Sequence, residues 1–154
     1  DYSKNRLVPD IIKSINNRKK LLLRNPNHIR PWQHVIEPTV GYLMLAQKQY
    51  EKKLTKTNPN WNFGPNKSSF VKVIIVLNKI KMIKKINFSI NKKQNFFETN
   101  ILKLNSSKSK RFLNWKPRWG LNISINNVIE WNDLYKKNKN AKKICEDQIV
   151  NYLS

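Results

Sequence analysis

The chain contains three glycines, Gly41, Gly64 and Gly120, in 154 residues. A G-x-G-x-x-G turn or a P-loop needs closely spaced glycines, because only glycine lets the backbone approach a pyrophosphate. These three stand far apart, so both motifs are excluded. No complete dinucleotide-binding βαβ unit is expected.

The apolar fraction is 39%, with five Trp, six Phe and five Tyr, enough to build a packed core. At this length the chain fits one domain or a piece of a larger one. The formal charge of +22 invites a polyanion partner such as nucleic acid. Lys, Asn and Ile are overused together, however, and the lysines run along the whole length. Selection for nucleic-acid binding would not raise Asn and Ile, so compositional bias is the preferred explanation and no nucleic-acid partner is expected. Cys145 is the single cysteine. It excludes an internal disulfide and fits a reducing, cytoplasmic compartment. The start, Asp1-Tyr2-Ser3-Lys4-Asn5-Arg6, has no signal-peptide pattern and no initiator Met, so a fragment is expected. The apolar run Val71 to Leu77 is too short to span a bilayer, and no membrane association is expected.

Periodicity predicts a helix over Arg6 to Ile15, with Pro9 in its first turn. Leu21 to Leu23 reads as a buried strand. Pro38 opens a long helix to about Leu54. Asn58 to Asn60 is a turn, and Trp61 to Pro65 a strand stopped by Gly-Pro. A second long helix is expected from Ser68 to Ile83, then strands at Ile86 to Ile90 and Ile101 to Leu104. Ser106 or Ser107 caps a short helix to about Leu113. Trp115 to Gly120 is a loop. The last helices cover Ile123 to Lys137 and Lys142 to Leu153, with Lys136 to Lys143 read as a solvated linker. The fold class is α/β, with short mixed strands among helices.

Chemistry concentrates in Arg24-Asn25-Pro26-Asn27-His28-Ile29-Arg30-Pro31-Trp32-Gln33-His34-Val35-Ile36-Glu37-Pro38. Arg30 is the candidate: a fixed guanidinium offers paired donors to phosphate, each charge-assisted bond contributing about 1.5–3 kcal/mol. Pro31 and Trp32 would stiffen its surroundings. The alternative is that Arg30 pairs with Glu37 or lies on the surface. His28 and His34 have no carboxylates at ligand spacing, so no metal site is expected. Tyr135 and Lys139 form a Tyr-x-x-x-Lys pair, but in a lysine-rich helix end this is a chance pattern.

The string Arg6-Leu7-Val8-Pro9-Asp10-Ile11-Ile12, then Arg24-Asn25-Pro26-Asn27 and Arg30-Pro31-Trp32-Gln33-His34-Val35-Ile36-Glu37-Pro38, resembles the CDP-glucose 4,6-dehydratases. Gly41-Tyr42-Leu43, Trp61 to Pro65, Leu102 to Lys108 and Leu113 to Trp119 continue the match in order. The resemblance covers nearly the whole chain. It implies the C-terminal substrate-binding portion of an extended short-chain dehydrogenase/reductase, without the complete Rossmann domain. The whole chain, 1–154, would be that nucleotide-sugar-binding portion.

In the intact family NAD takes a hydride from sugar C4, water leaves across C5–C6, and the hydride returns to C6. The family's NAD-binding turn and catalytic Tyr-x-x-x-Lys belong to the half this chain does not resemble. The resemblance therefore implies no catalytic residue and no cofactor for this chain alone. It implies a CDP-sugar as ligand and a separate N-terminal half as possible partner, and leaves homo-oligomerisation undecided. By position it implies that Arg6, Leu7 and Glu98 contact the sugar nucleotide. Backbone groups of Leu21 and Leu23 would meet the base, and Arg30 would bind the diphosphate. The family usually carries Pro-His-Glu-Ala where this chain has Phe96-Phe97-Glu98-Thr99, and two acids where it has Asn66 and Lys67. The basic drift therefore reaches the edge of the site. A non-catalytic binding fragment and a basic nucleic-acid binder are the alternative functions.

Overall fold

Short strands alternate with amphipathic helices because apolar residues recur at helical spacing in some stretches and cluster in threes in others. The computed structural model describes residues 6–54, 59–91 and 99–154. Helix α1 (Leu7–Asn17) leads to strand β1 (Leu21–Leu23) and then β2 (Ile29–Pro31). Helix α2 (Ile36–Tyr50), strand β3 (Phe70–Lys72), helix α3 (Val73–Ile83) and strand β4 (Phe88–Ile90) follow. Three helices end the chain: α4 (Ser107–Leu113), α5 (Leu121–Asn138) and α6 (Ala141–Leu153).

The strands form two separate pairs. β1 runs parallel to β4, with Leu21 opposite Phe88 and Leu23 opposite Ile90. β2 runs antiparallel to β3, with Arg30 opposite Val71. Parallel pairing needs a crossover, supplied by the long excursion through α2, β3 and α3. Among the described residues there is no larger sheet.

The main core explains the helix periods. Ile11 and Ile12 of α1 pack against Leu21 and Leu23 of β1. Val73, Val76, Leu77 and Ile80 of α3 and Leu121, Ile125 and Ile129 of α5 complete it. Each Ile or Leu buried there stabilises the fold by roughly 1.5–3 kcal/mol over an exposed one. A second cluster joins Phe63, Leu113 and Trp115, and a third Ile36, Trp119 and Tyr152.

Several expectations are corrected. The stretch around Arg30 is a strand in part, and Phe70–Lys72 is its partner, where a helix from Ser68 was expected. Helix α3 starts only at Val73, whose N–H is drawn to the His28 carbonyl at 2.9 Å. Trp61 to Pro65 is not a strand. Serine hydroxyls replace the missing neighbour: Ser109 Oγ donates to the Asn62 carbonyl at 2.6 Å, and Ser106 Oγ accepts from the Gly64 N–H at 2.7 Å. Ser106 is thereby drawn away from capping α4, and Asn105 Oδ1 accepts the Ser107 N–H in its place. Ile101 to Leu104 gives only an isolated bridge, Ile29 to Ile101. Lys136 to Lys143 is mostly helical, broken between α5 and α6, where the Asn140 side chain caps the Lys143 N–H. The expected Asn58 to Asn60 turn lies partly outside the described residues.

Candidate functional site

One open cleft of about 1110 Å³ collects most of the chemistry. Its walls are the start of α1, the strand β1, the segment from Arg24 through β2 to Val35, and one face of α5. Arg6, Leu7, Leu21, Leu23 and Arg30 all line it. They come from three separate sequence stretches, which the β1–α1 packing and the β2–β3 pair bring together. Glu98, the sixth expected contact, lies outside the described residues.

The Arg30 guanidinium is gripped at both arms. Nη1 donates to the Ile29 carbonyl at 3.0 Å and the Thr99 carbonyl at 2.8 Å. Nη2 meets His28 Nδ1 at 3.1 Å. The alternative pairing with Glu37 is not what the structure contains. Glu37 is fully buried on the far side, at the start of α2. Its Oε1 accepts the N–H groups of Arg118 (2.9 Å) and Trp119 (2.6 Å), and its Oε2 accepts the Tyr152 hydroxyl (2.7 Å). Its carbonyl accepts Trp115 Nε1 at 3.2 Å, and Arg118 Nη1 donates to the Tyr152 carbonyl. Burial, then the hydrogen bond to the Glu37 carboxylate, push the Tyr152 hydroxyl pKa well above its ordinary value.

The backbone of β1 is divided between the sheet and the cleft. Leu21 donates its N–H to the Asn87 carbonyl, and the Leu23 carbonyl accepts from Asn91. These groups serve the pairing with β4. By strand alternation the N–H and C=O of the intervening Leu22 point to the opposite edge. Among the described residues no strand covers that edge. Leu22 is 59% exposed and also lines the cleft.

Two cleft residues of α5 were missed in the sequence. Asn132 of α5 is buried and exchanges amide hydrogen bonds with Asn16 of α1, at 3.0 and 3.2 Å, fixing the distance between those two walls. Trp131 faces the cleft, stacks on Tyr135 with centroids 5.0 Å apart, and donates Nε1 to Cys145 Sγ at 3.3 Å. The signal available was an aromatic pair at i and i+4 on one helix. Gln33 donates Nε2 to the Phe63 carbonyl at 2.8 Å. His34 is buried, which lowers its pKa; its Nδ1 accepts the Ile36 N–H at 3.3 Å, and its ring meets Trp119 edge-on.

A Cβ on Gly41 would meet the Phe63 ring at 2.3 Å, and one on Gly64 would meet Leu104 at 2.8 Å, so both positions are packed against neighbouring side chains. Tyr135 and Lys139 are joined by a backbone turn at the end of α5, where Lys139 takes the left-handed conformation. Among the described residues no group of three or more His, Cys, Asp or Glu gathers at metal-binding range, and no helix is long and apolar enough to cross a membrane. Lysines occur on each of the described α-helices.

The fold, α/β with short strands and helices, is shared with about two fifths of each of two solved structures. It matches UDP-glucose-4-epimerase from Stenotrophomonas maltophila, solved with NAD and formylated UDP-arabinopyranose, over 89% of this chain and 42% of that one (TM-score 0.73, 14% identity). It also matches dTDP-glucose 4,6-dehydratase from Bacillus anthracis, solved with NAD, over 90% of this chain and 42% of that one (TM-score 0.64, 20% identity). In sequence the chain is similar to CDP-glucose 4,6-dehydratase from Salmonella typhimurium, 33% identical over 156 aligned residues. That similarity takes in the whole chain and 43% of the length of that relative. No family model matches.

Proposed function

We propose that the chain is the sugar-nucleotide-binding part of a CDP-glucose 4,6-dehydratase and that its cleft holds a CDP-sugar. The observation that carries this is the convergence of Arg6, Leu7, β1 and Arg30 on one cleft. The diphosphate lies against Arg30, whose planar fork suits phosphate oxygens. The base lies along β1, reading the N–H and C=O of Leu22, which point away from β4, between the buried Leu21 and Leu23. Arg6 and Leu7 at the entrance to α1 close the other side. Hydride transfer and acid–base chemistry would belong to an NAD-binding portion like that of the solved relatives, outside the stretch matched here.

Titration calorimetry with CDP-glucose tests the reading. Wild type is expected to bind, and Arg30→Ala to lose about tenfold to a hundredfold in affinity, the value of one or two charge-assisted bonds. Absence of binding heat in wild type would overturn it. The isolated chain mixed with NAD and CDP-glucose is expected to form no 4-keto product; clear turnover would sink the division of labour.

A further inference from the structure

We propose that His28 is the positioning residue for Arg30, its neutral imidazole fixing the guanidinium at the diphosphate end of the cleft. The proposal rests on the reading of Arg30 as the diphosphate ligand and adds a residue which that reading does not contain.

Arginine carries five donors and no acceptor, and it stays charged in proteins. The 3.1 Å contact between Arg30 Nη2 and His28 Nδ1 therefore requires a lone pair on Nδ1. His28 is then neutral, with its proton on Nε2. Two backbone carbonyls hold Nη1, and His28 holds the other arm. A planar fork held at both arms has its plane fixed, so its orientation is settled before ligand arrives.

His28 can act as a fixed post because it is itself anchored. It is buried, at 8% exposure. Its carbonyl accepts the N–H of Val73, the first residue of α3, and its N–H bonds the Asn25 carbonyl at 3.3 Å. The adjacent Ile74 N–H bonds Pro26. The start of α3 thus sets the loop, the loop sets the imidazole, and the imidazole sets the guanidinium. Both side chains line the cleft.

The test combines a ligand-free measurement with a binding one. Nitrogen NMR of uniformly labelled chain reads the ring nitrogens of its two histidines, and His28→Asn assigns the signals by loss. The expected result near neutral pH is His28 protonated on Nε2 and accepting on Nδ1, with slow motion of the Arg30 guanidinium. His28→Ala, or His28→Phe, which keeps the ring bulk without an acceptor, should speed that motion and weaken CDP-glucose binding about tenfold, the value of one such bond. His28→Asn, whose amide oxygen replaces Nδ1, should restore binding to within about threefold of wild type. A proton on Nδ1, or Arg30 motion unchanged in His28→Phe, overturns the proposal. Wild-type binding that survives both His28→Ala and His28→Phe overturns His28 alone. No wild-type binding overturns the diphosphate assignment together with it.

Discussion

Arg30 and Glu37 stand seven positions apart in one continuous motif, and the fold sends them to opposite fates. Glu37 is sealed, with both carboxylate oxygens engaged by donors from the 118–119 segment and α6. Arg30 is half-buried on a wall of the cleft, where two backbone carbonyls and the His28 imidazole hold its guanidinium. A buried carboxylate with matched donors locks elements together, whereas a guanidinium at a cleft wall is oriented by its neighbours yet stays beside solvent. A dense motif of charged, aromatic and proline residues is thus two devices in series, a cleft-lining strand and a structural knot.

The contrast can be broken most forcefully at Glu37. Glu37→Ala leaves two N–H groups and a hydroxyl buried without their acceptor, and is expected to cost about 3–5 kcal/mol in urea unfolding. A loss below about 1 kcal/mol would show that the knot is dispensable. Tyr152→Phe removes a single donor and should cost about 1–1.5 kcal/mol. It also carries a pH signature. The folded hydroxyl pKa is raised, so its stabilisation is fully present below the unfolded tyrosine value near 10 and is lost as pH climbs beyond it. Wild type should therefore lose stability faster than Tyr152→Phe above that pH, and parallel curves would contradict the assignment. The smallest expected effect is Arg30→Ala on stability, within about 0.5 kcal/mol, since Arg30 is only half-buried and the partners named above are carbonyls and an imidazole. A large loss there would make Arg30 a second knot and erase the comparison.

The elements with long periods were legible in the sequence. Helices α1, α2, α5 and α6 appear within a few residues of where apolar spacing puts them, and β1 appears as a three-leucine cluster. β2 and β3 were hidden because three residues, one a proline, carry no alternation to read, and their pairing is settled by tertiary contact. Trp61 to Pro65 misled because aromatic residues favour strands, yet here they fill a core beside Trp115 while serines satisfy the backbone. The cleft walls contributed by α1, β1 and Arg30 could be named from motifs. Asn132 and Trp131 could not, because only the packing of α5 against α1 brings them there. The alternative pairing of Arg30 with Glu37 could not be settled from the sequence because nothing local announces three donors reaching Glu37 from some 80 to 115 residues away.

The scarcity of glycine has a last consequence, at the helix ends. Among the described residues the left-handed positions are taken by Arg18, Lys52, Asn114 and Lys139, while no glycine has a positive φ. Glycine is the usual occupant of such positions because a side chain there is strained. None of the four lines the cleft. Thermal hardening of this protein can therefore begin at Arg18, Lys52 and Lys139, each a glycine replacement that spares the cleft and trims the excess positive charge in the same stroke.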